Sequence, residues 1–80
     1  MEKDFFYVVL VTFADFSKYS VNSVVAGHSV NKDDAVGILK SEYQDLLKEG
    51  YNKELFSHTK WGWKYISECL IISCEIHVLK

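Results

Sequence analysis

The sequence predicts an α+β domain of the ββαβ kind, a three-stranded antiparallel sheet in the order 2-1-3 with one helix packed on one face. Three observations carry this. The run from Phe5 to Phe13 is aromatic and β-branched with no breaker. The segment after Asn31 repeats apolar residues at helical spacing between cap signals, and the stretch ending at Leu79 alternates apolar and polar residues.

The first strand is apolar on both faces. Phe5, Tyr7, Val9, Val11 and Phe13 point one way and Phe6, Val8 and Leu10 the other, which places the strand at the centre of a sheet covered twice. Ala14 to Lys18 form a hairpin connection. A second strand, Tyr19 to Val30, is weaker, because Val24-Val25 breaks the alternation and Gly27 permits a bulge or bend, so it reads as an edge. The helix spans about Lys32 to Glu49. Asn31 is its N-cap, Asp33 and Asp34 sit where the helix dipole favours negative charge, and Gly50 stops it. At ~100° per residue, Ala35, Val36, Leu39, Tyr43, Leu46 and Leu47 fall in one stripe. Ile38 projects outside it, among Asp34, Glu42, Asp45 and Glu49, as a candidate contact residue. Tyr51 to Lys60 is a polar connection with Leu55-Phe56 tucked against the core. One long last strand then runs from about Trp63 to Leu79, with Ile66, Leu70, Ile72, Cys74, Ile76 and Val78 on one face and Ser67, Ser73, Glu75 and His77 on the other. It lies antiparallel beside the first strand after a right-handed crossover.

Composition bounds the rest. Eighty residues, 49% hydrophobic and 15% aromatic, make a single small domain over residues 1–80 with a thin margin of buried surface. The net charge of −2 comes with nine basic residues, all lysine and dispersed, so no arginine is present for bidentate recognition of phosphate or guanine. The apolar run after Met1-Glu2-Lys3-Asp4 lacks a positively charged leader and a small-x-small cleavage pattern, and falls well short of the ~18 apolar residues of a membrane span. Cys69 and Cys74, five apart on one strand, would face opposite ways. They are read as reduced thiols of a cytoplasmic protein.

No motif for catalysis or for a cofactor is present. His28, His58, His77, Cys69 and Cys74 form neither a Cys-x-x-Cys nor a helical His pair, so no metal site is expected. Cys69 and His77 on one strand would stand more than ~20 Å apart, too far for a dyad. Gly27, Gly37, Gly50 and Gly62 are isolated and build no phosphate-binding loop. The aromatic–lysine stretch Lys60-Trp61-Gly62-Trp63-Lys64-Tyr65 raises single-stranded nucleic-acid binding through Trp61, Trp63 and Tyr65, against the acidic balance of the chain. A small dimeric enzyme with its site at the dimer interface would draw acid and base groups from His77, Glu75 and Glu68.

The expected function is instead non-enzymatic protein binding. One helix covers one face of a small sheet, and the first strand is apolar on both. With Phe5, Tyr7, Val9 and Val11 as the uncovered set, these residues would meet a second copy in a homodimer or another protein partner, with Ile38, Trp61 and Trp63 as further contacts. If the faces are exchanged, Phe6, Val8 and Leu10 take that role. A competing possibility folds Trp61, Trp63 and Leu55-Phe56 over the open face. The profile is similar in type to small phage- or mobile-element-encoded inhibitors that bind a host machine, including some anti-CRISPR proteins, with no residue carried over.

Overall fold

The computed structural model describes residues 5–79; the leader Met1-Glu2-Lys3-Asp4 lies outside them. One helix packs on an antiparallel sheet, as the pattern predicts, but the sheet has five strands rather than three. They are β1 (Phe6–Asp15), β2 (Ser20–Ser29), β3 (Phe56–Thr59), β4 (Gly62–Ile66) and β5 (Leu70–Leu79), with α1 (Lys32–Lys48) between β2 and β3. The spatial order is β2-β1-β5-β4-β3, so β1 and β5 are interior and β2 is an edge.

The β1–β2 hairpin turns through Phe16 to Tyr19 on an Asp15 turn. The Asp15 carboxylate accepts from the Ser17 hydroxyl at 2.6 Å and the Ser17 amide at 3.0 Å, and the Lys18 amide donates to the Asp15 carbonyl at 3.3 Å. Tyr19 closes the turn at φ 52°, a left-handed conformation that a bulky residue rarely adopts. The pairing slips by one residue at Val9/Leu10, opposite Val25 to Gly27, which is the bulge that Gly27 permits.

Both helix ends are capped as the sequence implies. The Asn31 side-chain oxygen accepts from the Asp33 and Asp34 amides at 2.8 and 3.4 Å. Gly50 takes φ 99° and donates to the Leu47 carbonyl at 3.1 Å, while Tyr51 donates to the Leu46 carbonyl at 3.2 Å, the paired bonds of a Schellman motif.

The predicted last strand from Trp63 to Leu79 is two strands joined by a tight turn. The Ser67 amide donates to the Leu70 carbonyl at 2.9 Å and its hydroxyl donates to the same oxygen at 3.2 Å, folding β4 back onto β5. The turn reverses the parity of the faces. Trp63 and Tyr65 lie opposite Cys74 and Ile72, so odd residues of β4 share a face with even residues of β5, and Ile66 moves to the other side with Ile71. The connection expected over Tyr51 to Lys60 supplies the fifth strand. Phe56 and His58 pair with Tyr65 and Trp63, after a 3-10 turn at Lys53–Leu55.

The helix lies on β2, β1 and β5. It covers the face of Tyr7, Val9, Val11 and Phe13, the reverse of the arrangement that leaves these residues open. Val9 is 0% exposed, and Val11, Ile72, Cys74, Ile76, Trp63 and Tyr65 join Ala35 and Leu39 in the core. The cause is register. Val9, Val11 and Phe13 stand opposite Ile76, Cys74 and Ile72, so this face is apolar on both interior strands, whereas the other presents Ser73, Glu75 and His77. From the helix outward, Tyr43 of α1 and Phe56, Trp63, Tyr65 and Tyr51 pack ring against ring with centroids 5.0 to 6.1 Å apart, covering β3 and β4 on the same side.

Gly62 is buried where β4 crosses β5, and a Cβ there would overlap the Cys74 carbonyl oxygen. Gly62→Ala should therefore lower the unfolding free energy by about 1–3 kcal/mol, the usual range for overpacking, or prevent folding. Gly37, exposed on α1 with open space around it, should gain up to about 1 kcal/mol as Ala. Urea unfolding followed by far-ultraviolet circular dichroism checks both.

Candidate protein-binding face

The face away from the helix follows from the strand pairings. One row across it joins Val21, Ala14, Ile71 and Ile66. The next joins Ser23, Thr12, Ser73, Lys64 and Ser57, and another joins Val25, Leu10 and Glu75; then come His28, Val8 and His77, with Phe6 and Leu79 at the end. Two apolar zones thus flank a polar band. Thr12 and Ser23 hydroxyls bond at 2.9 Å within the band, and His77 lies 3.5 Å from Glu75. Phe6 packs on the His28 ring with centroids 5.2 Å apart. Val21 and Val25 are 69% and 57% exposed, Ile66 and Leu79 are exposed, and Val8, Leu10 and Ile71 are half-buried by their neighbours alone.

The residues expected from sequence to make contacts are distributed differently. Tyr7, Val9, Val11 and Trp63 belong to the helix-covered side, and Phe5 is half-buried just before β1. Ile38 is also half-buried. It fills the notch left by Gly27, where a Cβ would come within 2.7 Å of its Cδ1 atom, because α1 reaches across to β2 and buries a wider arc than its main stripe. Trp63 is 3% exposed and donates its indole N–H to the Leu39 carbonyl at 3.0 Å. Of the three aromatic residues proposed for base stacking, Trp63 and Tyr65 are in the core, and Trp61 alone is at the surface. Neither Trp63 nor Phe56 reaches over the open face, since both pack with Tyr43 on the helix side, and Leu55, expected to tuck against the core with Phe56, is exposed instead.

Sequence reasoning missed the hairpin tip. Phe16 is exposed and Tyr19 is 95% exposed, at the end of the sheet where Val21, Ala14, Ile71 and Ile66 lie. The signal was present in two large aromatics placed inside a turn. It also missed how open the β2 edge is. Ten residues, SVNSVVAGHS, carry no acidic or lysine side chain and no proline, whereas the opposite edge β3 has four residues.

The acid–base candidates form no pocket. Glu75 and His77 lie in the open on the sheet, and Cys69 sits in the β4–β5 turn rather than on a strand. Among the described residues no group of three or more His, Cys, Asp or Glu could hold a metal ion, and no helix is long and apolar enough to cross a membrane. Neither a family model, nor a curated protein, nor a solved structure matches the chain.

The two thiols differ sharply. Cys69 is exposed, whereas burial pushes the Cys74 thiol up to about 12 from its ordinary 9.0, with Glu42 and Glu75 adding to the rise. In the folded protein one thiol equivalent should react with Ellman's reagent at neutral pH, and two after denaturation. Because the unfolded chain releases the Cys74 proton first, the stability this thiol contributes is intact below pH 9 and declines as pH rises from about 9 to about 12. Cys74→Ser, followed by denaturant titration across that range, should flatten the decline.

Proposed function

We propose that the chain is a non-enzymatic, cytoplasmic binding protein that associates through its open sheet face, most simply with a second copy of itself. The observation that carries this is the one-sided cover. A single helix and an aromatic cluster fill one face, while Phe6, Val8, Leu10, Val21, Val25, Ile66 and Ile71 stand on the other with nothing above them among the described residues. Burying a large apolar side chain contributes roughly 1.5–3 kcal/mol, a large amount for a domain whose total stability is of the order of 5–15 kcal/mol. Two such faces can stack ~10 Å apart as in a sandwich. The charges suit a twofold arrangement. Lys64 and Glu75 stand on neighbouring strands of the face, so a symmetric copy can set the lysine of each against the glutamate of the other. The same face would serve a host protein as target, the mode of the small inhibitors to which the chain is similar in type.

The uncharged β2 edge favours a second geometry, strand addition between two copies, which uses the backbone of Ser20–Ser29 rather than the face. Three variants separate the possibilities by light scattering and circular dichroism. Leu10→Lys should keep its helix and sheet signal but convert a dimer to a monomer. Val9→Lys, beneath the helix, should unfold. Val24→Lys, on the edge and off the open face, should leave the dimer intact. Loss of the dimer with Val24→Lys and its retention with Leu10→Lys would assign the interface to the edge, and a wild-type monomer that binds no second copy removes the homodimer.

A further inference from the structure

The helix-covered side has a feature of its own, a cleft of about 200 Å³ between α1 and the β3–β4 hairpin. Val36, Leu39 and Trp63 give it apolar walls, with Tyr43 beside them. Lys40, His58, Thr59 and Lys60 supply its polar lining. Trp63 is immobilised by its indole bond to the Leu39 carbonyl, and the Tyr43 ring meets the His58 ring edge-on at 5.0 Å, so the walls are held before anything binds. Trp61 has two cations over its ring, Lys32 Nζ at 4.7 Å and Lys60 Nζ at 5.9 Å from its centre.

The charge of this region runs against that of the molecule. The chain carries eleven acidic and nine basic residues, yet no carboxylate lines the cleft. Among the described residues the ion pair found is between His77 and Glu75, on the other side of the sheet, and neither Lys32, Lys40 nor Lys60 is paired with an acid. Cations of one sign around a low-dielectric, aromatic-walled recess concentrate potential there. A purely apolar ligand would leave those charges unanswered, and a small inorganic anion would leave the walls uncovered.

We infer that the cleft is a binding site for a small organic carboxylate with an apolar body about the size of one aromatic ring. The carboxylate sits between Lys40 and Lys60, beside His58, and the ring lies against Trp63, Val36 and Leu39. The volume fits, since an apolar cavity of ~150 Å³ already holds benzene. The same chemistry is presented by a free aromatic acid and by the terminal carboxylate of a peptide ending in an aromatic residue.

The test uses the full chain labelled with nitrogen-15 and titrated with phenylacetate, phenylacetamide and acetate. Phenylacetate should shift the amides of Lys40 and of His58 to Trp63 together with the Trp63 indole N–H, and bind about tenfold tighter than either of the other two. The double variant Lys40→Gln, Lys60→Gln should lose the preference for phenylacetate over phenylacetamide while its thermal midpoint stays unchanged, since both side chains are exposed. N-acetylphenylalanine separates the two sources. If it binds as well as phenylacetate, the ligand is a chain terminus, and if it is excluded, the ligand is a free acid; both uphold the site. Equal binding of phenylacetamide, equal binding of acetate, shifts scattered away from the cleft, or no saturable binding in the millimolar range overturns it.

Discussion

The register between β1 and β5 is the constraint on which the rest of the molecule depends. Partners always have opposite parity, from Phe6 and Leu79 at one end to Asp15 and Leu70 at the other, so odd residues of β1 share a face with even residues of β5. The apolar set of β5 is thereby locked to Tyr7, Val9, Val11 and Phe13. A slip by one residue would set Val9 beside a strand face bearing Ser73, Glu75 and His77, leaving no face apolar on both interior strands for the helix to cover. With the register fixed, α1 has one place to lie. The open face then receives what remains, the second apolar set of β1 mixed with the polar set of β5. That mixture allows the sheet to be solvated in part and to bind in part, because its apolar zones are separated by the band from Ser23 to Ser57.

Much of this was legible in the sequence wherever one residue type has one local meaning. Asn31 and Gly50 mark the helix because a side-chain oxygen must meet the first free amides and because a left-handed residue must close the last turn. Gly27 marks a bulge for a similar reason. The β4–β5 turn carries no such mark. Ser67, Glu68 and Cys69 include neither glycine nor proline, and Ile66 before them has the same parity as Leu70 and Ile72 after them, so an even-numbered apolar set reads on through a reversal of direction. Length was the remaining signal. A strand from Trp63 to Leu79 exceeds the ten or so residues usual in globular sheets, and the polar pair Ser67-Glu68 lies at its weakest point. Ile38 was misplaced for a different reason. Helical periodicity locates the main stripe, but the width of the buried arc depends on how many strands the helix crosses, and the missing side chain at Gly27 lets Ile38 settle onto β2.

The turn that hid the fifth strand also decides the fate of the tryptophans. Had β4 continued into β5, Trp63 would have faced away from Ile72 and Cys74 and stood with the polar residues. Folding back brings it opposite Cys74, under the helix, where its N–H finds the Leu39 carbonyl and a large indole enters the core without an unsatisfied donor. Gly62 is required for the same fold-back, because β4 starts in close contact with the β5 backbone. The Trp-Gly-Trp stretch that suggests a base-stacking platform is thus, in the structure, a hairpin corner. One ring is structural and the other is at the surface.

The two sides of the sheet consequently favour different kinds of contact. The open face spreads aliphatic side chains over four strands with few aromatics, an extended surface that gains most from another extended surface. On the helix side the aromatics are concentrated where α1 stops covering the sheet, and a helix laid across β2, β1 and β5 cannot also seal the hairpin of β3 and β4. The recess between them is the geometric remainder of placing one straight helix on a five-stranded sheet. Its lysines, Lys40 and Lys60, come from the middle of α1 and from the β3–β4 turn, two segments brought together only by that placement. The acidic residues of α1, Asp33, Asp34, Glu42 and Asp45, are not among the residues that line the recess, although Glu42 is near enough to the core to act on Cys74. An acidic chain therefore acquires a locally basic, aromatic-walled recess from topology, with no basic run in its sequence to announce it.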